Sequence, residues 1–514
     1  SNMIKQTVCN ATDLREGELK EFDLGPGKVL LSKVNGQISA VSSKCTHYGA
    51  PLITGAYKNG KVRCPWHGAC FSTITGDIED FPGLDCLQMF KVEVNDGKVI
   101  VTASEESLIN FRRVKSMDGY CSGNKNIILI LGGGVSALIC AETLRQEGYQ
   151  GEIIMATKES HVPYDRTKLS KALNTKPSDL YLRDNNFLNE KGIIMAFDKL
   201  AVSVDIIQRK VTFADHSVQS YTKLFIATGS QPRRLDIPGN DLENIFYLRT
   251  PENANDIDSA CINKDIVILG SGFIGMELAC YFVNKAKSVS VVGLTNVPFE
   301  KLLGERVGKS LKMLHIAKGV KFFESSIKEL IGTQGKVVGV VLTDGTLIKT
   351  DVVISAIGVS PSTEFLENSS VVRDERGFIK VDQFMKCYTD VYAGGDIVSF
   401  PYVYDSGKYI NIGHWQVASA HGRNAALNML EKNVPLITVP FFWTSLYGNS
   451  LRYAGHCSSF DQILYEGNVE ELKFVAYYCR DGQVRAVASM NCGAKASEMA
   501  FKIESGDIKP PDNI

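Results

Sequence analysis

Cys45-Thr46-His47 and, sixteen residues on, Cys64-Pro65-Trp66-His67 are the stretches from which this chain is best read. Each offers one thiolate and one imidazole, ligands that suit zinc as well as iron–sulfur clusters. In zinc fingers the Cys of a pair are spaced by about two to four residues and the His by about three to five. Here Cys and His are mixed within each pair, with one residue between them in the first and two in the second. A cluster of two irons suits such mixing, because each loop can give its Cys to one iron and its His to the other. A structural zinc site stays the alternative.

The chain has 514 residues, enough for about three or four domains. Its net charge is −1 with 22% charged residues, which gives no electrostatic reason to expect nucleic acid or an anionic membrane as partner. Of the 13 Cys, the eleven outside the two loops are scattered and odd in number. That pattern fits free thiols in a reducing compartment. Ser1-Asn2-Met3 precedes a strand-like pattern with no visible signal peptide, so an intracellular, cytoplasmic protein is the expectation. The longest nearly uncharged stretches, 126–141 and 266–283, are interrupted by glycines, and the second contains Glu277. Neither reads as a membrane span.

Alternating short strands are expected at Val29–Val34, Gln37–Ser42, Lys61–Arg63, Phe90–Val94 and Val99–Val101, with turns at Asn35-Gly36, Asn59-Gly60 and Asp96-Gly97. This is an all-β domain over 1–105, with the two ligand loops projecting from it. A polar linker follows over 106–124.

Asn126–Leu131 then reads as a buried strand ending in Gly132-x-Gly134-x-x-Ala137, with a helix to about Gln146 and a strand at Glu152–Ala156. Between strand and helix such a turn binds a dinucleotide. The first Gly makes the turn, the second admits a pyrophosphate, and small Ala137 lets the helix pack. Asp265–Leu269 leads into a full Gly270-x-Gly272-x-x-Gly275, and a helix runs to about Asn284. Two such units in one chain are far more specific than one. An acid is expected after each second strand: the first is followed by Thr157-Lys158-Glu159, and the second, Ser288–Gly293, ends in glycine. No Arg follows at once to receive a 2′-phosphate, which favours NADH over NADPH.

Cys45-Thr46-His47-Tyr48-Gly49 and Cys64-Pro65-Trp66-His67-Gly68 resemble the Rieske family. The resemblance implies a 2Fe–2S cluster on Cys45, His47, Cys64 and His67. High-potential respiratory members carry a disulfide between the two loops, where this chain has Ala50 and Trp66, and hydroxyls where it has Ala69 and Phe71. Fewer hydrogen bonds to sulfur predict the low end of Rieske potentials, about −150 mV.

Leu224–Pro232, containing Ala227-Thr228-Gly229, and Ile354–Pro361 resemble paired turns of FAD-dependent pyridine-nucleotide oxidoreductases, and Tyr392-Ala393-Gly394-Gly395-Asp396 resembles their ribityl-binding motif. Pro163-Tyr164-Asp165-Arg166-Thr167-Lys168-Leu169-Ser170-Lys171 narrows the resemblance to ferredoxin reductases and apoptosis-inducing-factor-like proteins, in particular those with a Rieske domain. The resemblance implies two α/β dinucleotide-binding domains of the glutathione-reductase type, one for FAD over 125–248 and 374–436 and one for NAD(P)H over 249–373. An α+β interface domain over 437–514 completes the chain. FAD would be held by Gly132, Gly134, Ala137, Arg166, Lys171, Ala227, Thr228, Gly229, Asp396 and Trp415. Gly270, Gly272, Gly275 and Glu277 would hold NAD(P)H. Lys171 and Glu277 would pair beside the flavin ring, and Trp415 would lie between flavin and cluster. Phe442 and Trp443 read as a flavin-proximal segment or as ordinary core; His414 and His421 read as structural.

Disulfide reductases place a Cys-x4-Cys pair beside the flavin in this part of the fold, and none is present here. The implied activity is therefore transfer from NAD(P)H through FAD to the chain's own cluster, and on to an acceptor that the sequence does not identify. The alternative is a redox-gated interaction protein with slow turnover. The family resemblance also admits a mitochondrial location.

Overall fold

The computed structural model describes residues 2–512. Near the N-terminus, apolar–polar alternation gives antiparallel strands. Met3–Asn10, Lys98–Ser104, Met89–Asn95, Gln37–Ser42, Gly27–Val34 and Leu19–Leu24 lie side by side in that order. Asn35 and Gly36 turn one hairpin with φ of 51° and 79°, the geometry that follows strand twist. A smaller sheet of Ala56–Lys58, Lys61–Arg63, Cys70–Ser72 and Ile78–Asp80 frames the second ligand loop.

The two ligand loops close in the same way despite their different spacing. Cys45 N–H donates to Ala50 O at 2.8 Å, and Cys64 N–H donates to Ala69 O at 2.8 Å. Gly49 and Gly68 each return an N–H to the Cys carbonyl, at 2.8 and 3.2 Å, in the left-handed region that favours glycine.

Two parallel sheets follow. Ile193–Ala196, Glu152–Ala156, Ile127–Leu131, Lys223–Ile226 and Val391–Ala393, edged by antiparallel Lys386–Tyr388, form the first dinucleotide domain. Ile245–Tyr247, Val352–Ser355, Asp265–Leu269, Ser288–Gly293 and Lys321–Glu324 form the second. Their central strands are nearly continuous apolar runs, as sheets covered on both faces require. The helices Val135–Gln146 and Phe273–Phe282 open directly after the glycine turns. The C-terminal domain is a sheet ordered Phe441–Leu446, Asn449–Gly455, Gln483–Met490, Lys473–Arg480, Gln462–Asn468, with the helix Lys495–Glu504 against it.

Three expected boundaries move. The linker begins after Arg113, not at 106, because the helix Glu105–Ile109 buries Leu108 in the N-terminal core and Arg112–Arg113 pairs with Cys86–Leu87. The second dinucleotide domain begins by Ile245 rather than 249, since Ile245–Tyr247 is a strand of its sheet. The FAD-type domain resumes before 374, because Leu366 and Val371 lie in its core.

The Rieske-type domain is docked by buried polar groups as well as by packing. Arg183 donates to Glu142 at 2.9 Å and to Asp85 at 2.7 Å, with all three side chains largely buried. Asp80 accepts from Gln416 at 3.0 Å and from Thr438 at 3.2 Å. Arg63 reaches Glu504 at 3.0 Å and lies over the Phe501 ring. Removing one partner of a buried pair strands the other charge, which costs about 3–5 kcal/mol. Arg183→Ala is therefore expected to lower the stability of the docked N-terminal domain by about 3 kcal/mol in urea unfolding. A loss under about 1 kcal/mol, the scale of surface pairs, would show that the triad does not hold the interface.

Candidate redox centre and nucleotide cleft

The four predicted metal ligands meet as two pairs. His47 Nδ1 and His67 Nδ1 face each other at 3.2 Å. Cys45 and Cys64, 1% and 2% exposed, lie within hydrogen-bonding reach of each other. The hydrogen bond to Cys64, then burial, pushes the Cys45 thiol well up. Burial opposes charge on Cys64 too, but the Cys45 hydrogen bond and the N–H groups of His67 and Trp66 pull it down, so Cys64 is the readier of the two to ionise. Burial lowers His47 to about 4 and His67 to about 2, leaving the neutral imidazoles that metals bind. Among the described residues no three His, Cys, Asp or Glu side chains gather in the manner of a single-ion site. Two sulfurs on one side and two ring nitrogens on the other fit a diiron cluster and do not fit mononuclear zinc.

A cleft of about 1890 Å³ runs across both dinucleotide domains. Single-ligand pockets reach about 1,000 Å³, so this one has room for two dinucleotides. Gly132 and Gly134, Ala227-Thr228-Gly229, Arg166 and Asp396 line one part, and Gly270 and Gly272 another.

The glycines divide by cause. A Cβ on Gly132 would sit 2.0 Å from Ala227 O, and one on Gly270 would sit 2.1 Å from Ala356 O, so protein backbone demands them. On Gly275 it would meet Gly270 O at 2.2 Å. On Gly134 and Gly272 it would meet no protein atom within 4 Å. Those two are small toward the cleft, as a pyrophosphate over a helix N-terminus needs. Ala137 is fully buried in the helix that follows the first turn.

Lys171 Nζ lies 3.0 Å from Glu277 Oε1. Glu277 is 6% exposed and also accepts from the hydroxyls of Ser170 and Thr444. Asp396 accepts from Ser230 Oγ at 3.1 Å, and Arg166 donates to Tyr164 and Glu159. Arg249 also lines the cleft and was not anticipated from the sequence. Its guanidinium makes no side-chain hydrogen bond or ion pair among the described residues, and burial with nearby Arg166 pulls it down to about 10. An unpartnered cation here suits a ligand phosphate. His421 is structural, accepting the Gly395 N–H, whereas His414 lines the cleft and stacks on Phe442.

Trp415 lines the cleft and packs on the core of the FAD-type domain, but makes no ring contact with His47 or His67 among the described residues. Trp443, by contrast, lines the cleft and packs on His67 at 4.2 Å between centroids. Trp415 opens a helix anchored in the FAD-type core, while Trp443 lies on a strand against which the ligand loop is docked.

These features define a pyridine-nucleotide-dependent flavoprotein reductase with a Rieske domain in the same chain. Residues 4–91 match the Rieske [2Fe-2S] domain, 126–422 the pyridine nucleotide-disulphide oxidoreductase family, and 441–509 the reductase C-terminal domain. The chain is 45% identical to apoptosis-inducing factor 3 of Homo sapiens, over 98% of this chain and 84% of that protein. It is 28% identical to rubredoxin-NAD(+) reductase of Ectopseudomonas oleovorans, over 75% of this chain and all of that one. A solved ferredoxin reductase from Rhodopseudomonas palustris matches 74% of this chain and 100% of its own at a TM-score of 0.69 and 27% identity. The chain belongs to the Rieske-containing, apoptosis-inducing-factor-like members of the pyridine nucleotide-disulphide oxidoreductase family. Its cofactors are FAD and a 2Fe–2S cluster, with NAD(P)H as substrate.

The two kinds of glycine give contrasting expectations. Gly132→Ala, with φ near +121° and a backbone clash, should destabilise the apoprotein by more than about 2 kcal/mol. Gly134→Ala should cost the apoprotein under about 1 kcal/mol, as a helix N-cap change, yet weaken FAD binding by at least about tenfold. Thermal unfolding of apoprotein and FAD titration separate the two effects. Equal losses for both variants would place Gly134 in packing rather than in ligand contact.

Proposed function

We propose that this chain carries electrons from NAD(P)H through FAD to its own Rieske cluster, and from there to a protein acceptor. The observation that carries the reading is Trp443, which lines the nucleotide cleft on one side and packs on the ligand imidazole His67 on the other. When bound, FAD supplies the exchange between a two-electron hydride and single electrons. The residues supply placement. Glu277, held by Ser170 and Thr444, keeps the Lys171 ammonium at a fixed point on the cleft wall. Arg166, Arg249 and Asp396 present charge along the same wall, and Phe442 stacked on His414 gives it an apolar face. No cysteine lines the cleft among the described residues, so the wall offers no thiol relay.

NADH is the proposed nucleotide. A Cβ on Gly293 would lie 2.6 Å from Ser271 Oγ, so a hydroxyl occupies the place from which an acid usually reaches the ribose. A neutral hydroxyl suits ribose hydroxyls better than a phosphate dianion. Steady-state kcat/KM with the two nucleotides tests this, and Lys301→Ala tests whether the lysine lining the cleft contributes to binding. The proposed potential stays at the low end, about −150 mV, because neither Ala69 nor buried Phe71 offers a hydroxyl to sulfur.

In stopped flow, Trp443→Ala is expected to leave flavin reduction by NADH unchanged and slow cluster reduction at least about tenfold, or about 1.4 kcal/mol in barrier. Trp415→Ala should spare the second step. Unchanged cluster reduction in Trp443→Ala would overturn the internal route.

A further inference from the structure

We infer that Trp66 is the port through which electrons leave the chain, and that it serves a one-electron carrier with an acidic surface. The inference rests on the reading that electrons reach the cluster site from the cleft. If they do, they enter on the imidazole side, and that side is covered in part. His67 packs on Trp443. His47 is stacked by Tyr48 at 3.8 Å, and the Tyr48 hydroxyl donates to Asp165 of the reductase portion. Each ring is left half-buried, with an aromatic neighbour against one face.

Swinging the domain away would expose them, but the docking contacts oppose it. Undocking leaves Asp85, Asp80 and Arg63 to lose partners that they hold across the interface. It also breaks the bond from Ser497 Oγ to Cys64 O, 2.7 Å long, on the ligand loop itself. Buried groups of this kind are costly to leave unpaired.

One residue of the ligand loops remains in the open. In Cys45–Ala50 and Cys64–Ala69 every side chain is buried or half-buried except Trp66, which is 39% exposed. It stands between a cluster thiolate and a cluster imidazole. Its backbone N–H points at Cys64 Sγ at 3.4 Å, and its backbone carbonyl accepts from Arg452 Nε at 2.8 Å. The loop is therefore fixed to the C-terminal domain at the residue that faces solvent. Arg452 gives its other bond to Gly493 O and pairs with no carboxylate among the described residues, so a half-buried cation held by no carboxylate sits at the backbone of the exposed Trp66. Exposed Trp beside Arg is the composition of interaction hot spots. The cation selects a negatively charged partner. In the step at this port one electron leaves the cluster and the carrier gains it, with no bond made and no proton moved.

The test uses the full chain loaded with FAD and cluster, with cytochrome b5 as acidic probe and cytochrome c as basic control. Trp66→Ala should keep the wild-type rate of cluster reduction by NADH and an unchanged cluster potential. Its cluster reoxidation by cytochrome b5 should fall by at least about tenfold, the loss of a hot-spot side chain. Trp66→Phe should retain most of the rate. In oxidised protein without nucleotide, calorimetry should show cytochrome b5 binding weakened in Trp66→Ala and in Arg452→Gln, with the latter also losing salt dependence. Unchanged reoxidation and binding in Trp66→Ala would overturn the port, and preference for cytochrome c would overturn the acidic partner. If NADH fails to reduce the wild-type cluster, the internal route fails instead, and the binding arm still decides the port.

Discussion

The approach of Gly68 to the ring of Phe441 sets the placement of the two redox centres. Gly68 lies at φ +81°, and a Cβ there would come within 2.7 Å of the ring. Without side-chain bulk the second ligand loop settles directly on the strand Phe441–Leu446. Alternate residues of a strand face opposite ways, and here the alternation serves two sites. Phe441 and Trp443 meet the ligand loop, through Gly68 and His67. Phe442 and Thr444 meet the nucleotide side, through His414 and Glu277. One short strand thus fixes the metal loop and the Lys171–Glu277 pair in a single frame, and a shift of one residue in register would exchange the two sets.

The polar seam around this strand has an energetic logic of its own. Gln416 accepts the Phe441 N–H through its carbonyl and gives its amide to Asp80 and Thr438. A buried carboxylate is thereby satisfied by neutral donors, with Arg63 3.8 Å away. Such networks add little net stability over an apolar interface, but they tolerate few alternative dockings, because each misplacement strands a polar group. For electron transfer, a fixed separation between cleft and cluster matters more than the tightness of the contact.

Much of this was legible in the sequence because the informative residues are local. The glycine turns sit between strand and helix, and Cys and His sit in loops whose spacing alone limits what they hold. The domain order follows from these. What the sequence hid was relational. Trp415 and Trp443 look alike as isolated aromatics near flavin-type motifs, and only the docking of a loop from the first hundred residues onto a strand from the last hundred tells them apart. Arg249 was hidden for the opposite reason, since it looks like one more charged residue after a strand, and its significance is the absence of a partner in a cleft. The boundaries moved because Leu108, Leu366 and Val371 are unremarkable apolar residues whose allegiance depends on which core they fill.

The bond from Ser497 to Cys64 spans 433 residues of sequence. Contacts so distant form after most of the chain exists, and N-terminal domains fold first during synthesis. The ligand loop is therefore one of the earliest surfaces made and one of the last to be walled in. Until the C-terminal domain arrives, the loop lacks the bond from Ser497 and the Phe441 ring that covers Gly68. The order of residues along the chain therefore makes closure of the ligand loop wait on the last domain.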